Sequence, residues 1–170
     1  MSATVTAVQG DLTKQVIDAI VNAANEWMLG GGGVDGAIHR AAGPELVEAC
    51  REVPEVRPGV RCPTGEARIT PGFALPAKYV IHTVGPRYSM PDHARLLEQA
   101  FRSSLEIASA HDDIRGVAFP AISCGVFGYP IEEAAPNAIA AARDPRWDLD
   151  EVRFVLFGAS DHSVFSRALA

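Results

Sequence analysis

Several features are scarce or missing in this sequence, and each absence argues against a class of protein. Cysteine occurs three times, as Cys50, Cys62 and Cys124, without Cys-x-x-Cys spacing, which disfavours a disulfide framework or a cysteine-ligated zinc site. No His-Glu-x-x-His motif or cluster of acids indicates another metal or a cofactor. No run approaches the roughly 20 apolar residues of a membrane-spanning helix, and the N-terminus does not resemble a signal peptide. We therefore expect a cytoplasmic protein with no metal, no cofactor and no membrane partner.

Positive charge is also in deficit. Fifteen Lys and Arg residues stand against 21 Asp and Glu residues, which gives a formal net charge of −6. General nucleic-acid binding relies on a basic field that this composition does not supply. An anionic ligand would therefore have to be bound by a local feature of the chain.

What remains is the composition of a globular protein. The chain has 170 residues, of which 48% are hydrophobic, and no repeat or linker divides it, so we treat residues 1–170 as one domain. Short apolar runs predict strands at 4–8, 19–21, 67–70, 79–84, 117–122 and 152–157. Helical spacing predicts helices at 94–110, 130–143 and 161–169, and another that begins at Ala37. The alternation indicates an α/β sandwich with helices on both faces of a largely parallel sheet, which binds ligands at the carboxyl ends of its strands.

Two glycine-rich loops each follow a predicted strand and precede a predicted helix. The first spans residues 29–36 and contains four consecutive glycines, and the second spans residues 123–130. Where Cβ atoms are missing, a ligand can approach the backbone, and successive N–H groups and a helix N-terminus can bind one anion. Neither loop has the spacing of a P-loop or of a Rossmann fingerprint. The pair predicts a diphosphate site, although the first loop alone could be a flexible connection.

Four polar side chains allow more than one interpretation. Cys124 lies in a strand-to-helix turn, where a helix N-terminus lowers the pKa of a thiol, but no nucleophile elbow or neighbouring His accompanies it, so a nucleophilic role is disfavoured. Asp35 and His39 are four residues apart and could form an acid–base pair, although a structural role for His39 is preferred. His82, inside an apolar strand, is interpreted as a hydrogen-bonded core residue.

Segments along nearly the whole chain resemble those of the macrodomain family, in the same order. They are Gly10 to Thr13, Asp18 to Asn25, Gly30 to Ala37, Tyr79 to Pro86 and Phe119 to Pro130. The MacroD-type branch is marked by an asparagine shortly before Gly-Gly-Val-Asp, here Asn25 and residues 32–35, together with a Gly-Val-Tyr/Phe-Gly loop, here residues 125–128. The resemblance implies a three-layer α/β/α sandwich around a mixed, mostly parallel sheet of about six strands.

The resemblance also implies an ADP-ribose site. Asp11 and the Leu12 backbone would contact adenine, with a turn or cap role as the other interpretation of Asp11. Phe157 would stack on adenine or, equally, belong to the core. Main-chain donors for the diphosphate would come from Gly33, Val34, Ser123, Cys124, Gly125 and Val126. Cys124 departs from the family, which usually has Thr or Ser at this position.

Many MacroD-type members remove ADP-ribose from acidic side chains of proteins or deacetylate O-acetyl-ADP-ribose. By that resemblance Asn25 and Asp35 would meet the distal ribose, and Phe127 would pack against it. A carboxylate leaving group needs little protonation, so a single Asp together with a substrate phosphate could suffice, with Asp35 positioning or partly deprotonating a water near the α-phosphate. Mono-ADP-ribosylated proteins would be the partners. The alternatives are a non-catalytic ADP-ribose reader and a phosphatase acting on a nucleotide-sugar phosphate.

Overall fold

In a computed structural model that describes residues 2–170, six strands form one sheet flanked by five α-helices. The strands are β1 (Thr4–Gln9), β2 (Ala19–Ala23), β3 (Ala67–Pro71), β4 (Tyr79–Thr83), β5 (Gly116–Phe119) and β6 (Glu151–Leu156). The helices are α1 (Gly33–Ala42), α2 (Pro44–Arg51), α3 (His93–Ala110), α4 (Ile131–Ala142) and α5 (Ala159–Leu169), and a short 3-10 helix covers Leu12–Lys14. All six predicted strands are confirmed.

The sheet is mixed and mostly parallel, as expected. Its strand order is β1-β6-β5-β2-β4-β3, and only the edge strand β3 runs antiparallel to its neighbour. The carboxyl ends of β1, β6, β5 and β2 consequently lie side by side along one edge. The two glycine-rich loops follow β2 and β5, which pair directly with each other, so the topology brings both loops together.

Alternate residues of the strands enter two separate cores. Val21 and Phe154 face the core beneath α3, α4 and α5, whereas their neighbours Ile20 and Val155 face the core beneath α1 and α2. This follows from the two-residue period of a strand, which sends successive side chains to opposite faces. Helices therefore cover both faces, and the three-layer sandwich is confirmed.

The larger core is built around four phenylalanine rings. Phe101 of α3, Phe119 of β5, Phe154 of β6 and Phe165 of α5 are at most 1% exposed, and neighbouring ring centroids lie 5.0 to 6.2 Å apart. Such tilted and edge-on ring pairs stabilise a core beyond the area that they bury. The cluster packs α3 and α5 against β5 and β6, and the carboxyl ends of these two strands form part of the site.

Helices α3 and α4 lie within one residue of their predicted bounds, whereas α1, α2 and α5 differ from the sequence predictions. Helix α1 begins at Gly33 rather than at Ala37, so the glycine-rich loop supplies its first turn. Helix α2 was not predicted, although Gly43 and Pro44 are typical of a helix end and a helix start. Helix α5 begins at Ala159, two residues before the predicted Asp161. Across residues 2–170, no helix is long and apolar enough to cross a membrane.

Candidate functional site

A cleft of about 620 Å³ opens at the carboxyl ends of β1, β2, β5 and β6. Every residue that the sequence predicted for the site lines it: Asp11, Leu12, Asn25, Gly33, Val34, Asp35, Ser123, Cys124, Gly125, Val126, Phe127 and Phe157. The predicted set is therefore brought together in space, although its members are distributed over almost 150 positions of the sequence. Lining residues that the sequence reasoning missed include Gly85 and Asp161.

The cleft offers unpaired backbone amides from both glycine-rich loops. Gly33 and Val34 form the first turn of α1, where N–H groups have no acceptor within the helix. In the second loop, the N–H groups of Gly125 and Val126 make no hydrogen bond to the described part of the chain. The N–H of Cys124, in contrast, already donates to the Ala121 carbonyl at 3.2 Å, so it is not the free donor that we predicted.

Charged side chains do not explain how the cleft would bind an anion. Within residues 2–170 its lining contains Asp11, Asp35 and Asp161 and neither lysine nor arginine. A phosphate group would consequently depend on the backbone amides and on the positive end of α1. The same part of the chain contains no group of three His, Cys, Asp or Glu residues arranged to hold a metal ion.

The second loop is held in an unusual conformation by a close approach to Gly85. Ser123 has a φ of 69°, in the left-handed region that few non-glycine residues adopt. A Cβ atom placed on Gly85 would lie 2.2 Å from the Ser123 hydroxyl oxygen and 2.5 Å from Cγ2 of Ile122. Only glycine fits at this point. The signal was present in the sequence, because Gly85 belongs to the Tyr79 to Pro86 segment that supported the resemblance.

Asn25 shapes the first loop with its side-chain amide. Its Oδ1 accepts a hydrogen bond from the Met28 N–H at 2.9 Å, and its Nδ2 donates to the Gly30 carbonyl at 3.0 Å. Met28 has a φ of 68° and Gly30 a φ of 99°, so the backbone turns sharply at both residues, where the loop begins. Asn25 therefore fixes the backbone that leads into Gly31 and, beyond it, into α1.

Asp35 is a buried carboxylate with one anchored oxygen. It lies in the first turn of α1 and is 5% exposed, and its Oδ1 accepts a 2.8 Å hydrogen bond from Nδ2 of Asn22 on β2. A Cβ atom placed on Gly31 would lie 3.0 Å from the other oxygen, Oδ2, and 3.5 Å from Nδ2 of Asn25. Asp35 and Asn25 thus both border the space that the missing Gly31 side chain leaves in the cleft wall.

His39 and His82 flank this carboxylate in different ways. Nε2 of His39 lies 3.4 Å from Oδ1 of Asp35, within ion-pair distance but without hydrogen-bond geometry. His82 is completely buried, and burial lowers the pKa of its imidazole to about 3, assisted by the nearby His39. It contacts Asn22 through Nδ1 at 3.2 Å and Thr70 through Nε2 at 2.9 Å. The prediction that His82 is a hydrogen-bonded core residue is confirmed.

Asp11 and Phe157 stand at the β1 and β6 end of the cleft. Oδ1 of Asp11 accepts hydrogen bonds from the hydroxyl and the backbone N–H of Thr13, which lower the pKa of the carboxyl group. The cap interpretation of Asp11 is therefore correct. Asp11 also lies in the wall of the cleft, where its carboxylate can accept a hydrogen bond from a nucleobase. Phe157 is 85% exposed, so the interpretation as a core residue is wrong.

The thiol of Cys124 is not activated. Its Sγ lies 3.5 Å from the Ile122 carbonyl oxygen, and burial raises its pKa to about 12, with Asp161 and Glu132 adding to the rise. A thiolate is the nucleophilic form of cysteine. The structure therefore contradicts the alternative in which Cys124 attacks a substrate.

Phe127 is supported by the segment that follows β4. Its carbonyl accepts a hydrogen bond from the Tyr88 N–H at 3.0 Å, and the guanidinium of Arg87 lies 4.9 Å from the centroid of its ring. A cation over an aromatic face is attracted by the electron density of the ring. These two contacts hold Phe127 in the wall of the cleft, which Asn25 and Asp35 also line. The sequence reasoning did not identify Arg87.

Comparison with known proteins agrees with this architecture. The family model described as Macro domain matches residues 21–138. A macro domain-containing protein of Ralstonia nicotianae is 52% identical over 168 residues, covering 98% of this chain and 94% of that protein. The ADP-ribose glycohydrolase MACROD2 of Xenopus laevis is 47% identical over 168 residues, covering 95% of this chain but 38% of that protein.

Solved structures show the same arrangement. A mutant macrodomain of Oceanobacillus iheyensis with ADPR superposes with a TM-score of 0.92 at 43% identity, covering 99% of this chain and 92% of that one. A Trypanosoma brucei macrodomain in complex with ADP-ribose gives a TM-score of 0.86 at 38% identity, covering 98% of this chain and 69% of that one. On its sequence, its sheet topology and its cleft, this chain belongs to the macro domain family.

Proposed function

We propose that this protein binds ADP-ribose in the cleft and hydrolyses the ester between ADP-ribose and an acidic side chain of a protein, or the acetyl ester of O-acetyl-ADP-ribose. The observation that carries the proposal is the position of Asp35, whose Oδ1 is anchored by Asn22 while Oδ2 borders the gap at Gly31. The similarity to an ADP-ribose glycohydrolase and to macrodomains solved with ADP-ribose supports it.

The ligand would lie across the cleft with its diphosphate between the two glycine-rich loops. The first turn of α1 and the amides of Gly125 and Val126 would donate to the phosphate oxygens, since no basic side chain lines the described cleft. Adenine would lie toward Phe157, whose exposed ring is available for stacking, and toward Asp11, whose carboxylate accepts from an exocyclic amine. The distal ribose would then reach Asn25, Asp35 and Phe127.

The chemistry would need one carboxylate. A water molecule held by Asp35 attacks the anomeric carbon, the bond from that carbon to the ester oxygen breaks, and the acidic side chain leaves as a carboxylate. The proton of the water passes to Asp35 and then to solvent. Because the leaving group is a weak base, no second acid is required to protonate it. In O-acetyl-ADP-ribose the same water would attack the acetyl carbonyl, and the bond from the acyl carbon to the ribose oxygen would break. The ribose oxygen is a stronger base, so Asp35 would return the proton of the water to it, and acetate would leave. Asn25 and Phe127 would hold the sugar in place for the attack.

The test compares wild type with Asp35→Asn in two measurements. Calorimetry with ADP-ribose reports binding, and a release assay on a glutamate-linked mono-ADP-ribosylated protein reports hydrolysis. We expect the variant to bind ADP-ribose and to release it roughly a hundredfold or more slowly, the usual contribution of a general base. Asp92→Asn, which removes an exposed carboxylate that does not line the cleft, is the matched control and should behave as wild type.

Three other results would each contradict a different part of the proposal. Release by Asp35→Asn at the wild-type rate would remove Asp35 from the reaction. Binding without release by wild type, on both the protein ester and O-acetyl-ADP-ribose, would make the protein a reader. Phosphate as the product would indicate the phosphatase.

A further inference from the structure

A row of polar side chains lies beneath α1 and α2 where the rest of that core is apolar. Asn22 on β2, His82 on β4 and Thr70 on β3 are 0%, 0% and 5% exposed. The register of the sheet explains the row, because Asn22 is the direct partner of His82 and Thr70 lies on the adjacent antiparallel strand. The side-chain contacts continue from Thr70 to Asp35 in the cleft wall, although Thr70 itself does not line the cleft.

The direction of the hydrogen bonds along this row is fixed by chemistry. The single hydroxyl hydrogen of Thr70 is donated to the Pro71 carbonyl at 3.1 Å, so its oxygen must accept from Nε2 of His82 at 2.9 Å. His82 is uncharged, because burial lowers its pKa to about 3, and its other nitrogen, Nδ1, is then an acceptor. Nδ1 of His82 and the Asp35 carboxylate are therefore both hydrogen-bond acceptors. The Nδ2 group of Asn22 donates one hydrogen bond to each of them.

The opposite orientation of the Asn22 amide would be unfavourable. It would place Oδ1 against the Asp35 carboxylate and against Nδ1 of His82, so that acceptors would face acceptors. In the orientation observed, Oδ1 has no hydrogen-bond partner among residues 2–170. The Asn22 amide therefore donates to both Asp35 and His82, at the cost of hydrogen bonding to its own carbonyl oxygen.

Other titratable groups surround the row but do not replace its hydrogen bonds. His39 of α1 approaches Asp35 without hydrogen-bond geometry, and Cys50 of α2 lies 3.8 Å from Nε2 of His82. Burial raises the pKa of the Cys50 thiol to about 11, which keeps it uncharged, and the charge of Arg61 acts in the opposite direction. The strong partner of Nε2 is therefore Thr70.

We propose that Thr70 and His82 are positioning residues for the reaction: the Thr70 hydroxyl holds His82 in its Nε2–H tautomer, and this tautomer keeps the Asn22 amide turned to donate to Asp35. The inference rests on the proposed role of Asp35 as the carboxylate that holds the water. It makes the orientation of that carboxylate, on α1, depend on a hydroxyl group on β3 that does not touch it, because Asn22 and His82 lie between the two.

Removing the Thr70 hydroxyl should allow the His82 ring to change its tautomer. In Thr70→Val, a variant of nearly the same shape, Nε2–H loses its acceptor and the tautomer with hydrogen on Nδ1 becomes competitive. A hydrogen on Nδ1 of His82 would face the Nδ2 hydrogens of Asn22, which favours rotation of the Asn22 amide. After this rotation, Nδ2 no longer donates to Asp35. A carboxylate that loses its anchoring hydrogen bond is no longer held in the orientation from which it would hold the water. Thr70→Ser keeps the hydroxyl and serves as the matched control.

The experiment measures three properties of wild type, Thr70→Val and Thr70→Ser. Nitrogen NMR of the His82 ring identifies the tautomer, calorimetry gives the affinity for ADP-ribose, and the release assay gives kcat and KM. For Thr70→Val we expect an increased population of the Nδ1–H tautomer, a kcat about tenfold lower and an unchanged affinity. Thr70→Ser should match wild type in all three.

Several outcomes would overturn the inference. These are a Thr70→Val variant that keeps the Nε2–H tautomer and the wild-type kcat, one whose affinity falls together with its kcat, and a Thr70→Ser variant whose kcat is not that of wild type. Thr70→Ala replaces the valine variant if that one does not fold. If wild type releases no ADP-ribose, the proposed function fails by itself. The hydrogen-bond part of the inference, that Thr70 sets the tautomer of His82, is then tested without turnover by nitrogen NMR of the His82 ring.

Discussion

A pair of alanine substitutions, Gly85→Ala and Gly125→Ala, separates the packing of the second loop from its contact with the ligand. The Cβ atom added at Gly85 would lie 2.2 Å from Oγ of Ser123 and 2.5 Å from Cγ2 of Ile122, closer than real Cβ contacts allow. Ser123 is already held in the left-handed region, so the loop has little freedom to retreat. At Gly125 the added Cβ atom meets nothing within 4 Å.

These distances set the expected loss of stability. Forcing an extra methyl group into a packed site costs about 1–3 kcal/mol. In a domain of this size, 1 kcal/mol lowers Tm by roughly 2–4 °C, so Gly85→Ala should melt about 2–12 °C below wild type. Gly125→Ala adds its methyl group to open space and should stay within about 0.5 kcal/mol of wild type.

Affinity should follow a different pattern. A phosphate that contacts the Gly125 amide approaches the backbone where the new methyl group would stand, so Gly125→Ala should weaken ADP-ribose binding while leaving Tm unchanged. Gly85→Ala should weaken both, because it displaces the loop. Scanning calorimetry of the free proteins and titration calorimetry with ADP-ribose give the two quantities. A Gly85→Ala variant as stable as wild type, or a Gly125→Ala variant with wild-type affinity, would refute the reasoning.

Two further predictions concern stability. Phe154→Ala removes the ring that contacts three other phenylalanines and should lower the free energy of unfolding by about 3–5 kcal/mol in urea titrations; a loss below 1 kcal/mol would mean that the cluster closes around the cavity. For His82, the folded pKa of about 3 lies below the ordinary 6.5, so unfolding takes up a proton between these values. Its contribution to stability is complete above pH 6.5 and is lost as the pH falls toward 3. His82→Gln should show a smaller acid loss than wild type, and equal losses would contradict this account.

The layers of the fold and the residues that line the cleft could be predicted from the sequence. Short apolar runs such as Val152 to Phe157 predicted buried strands with helices on both faces of the sheet, and a core is present on each face. Glycine runs after β2 and β5 predicted that backbone amides would meet at one edge, because parallel neighbouring strands end on the same side. These features could be predicted because they are encoded locally, in the spacing of apolar residues and in the absence of Cβ atoms.

Other properties of the site depend on contacts between residues that are distant in sequence, and these contacts are seen only in the folded structure. The start of α1 at Gly33 accompanies the burial of Asp35 against Asn22, a contact that glycine content alone does not predict. The amide of Cys124 is occupied by Ala121, and burial raises the pKa of its thiol, so two roles suggested by its place before a helix do not hold.

The hydrogen-bond row behind Asp35 is the clearest case. Asn22, His82 and Thr70 come from three strands, and nothing in their local sequences shows that they touch. His82 could be predicted as a core residue from its apolar neighbours, but its tautomer and its link to the cleft follow from the register between strands. Hydrogen bonds act over about 3 Å, and whether two polar groups come that close is settled only when the whole sheet is assembled.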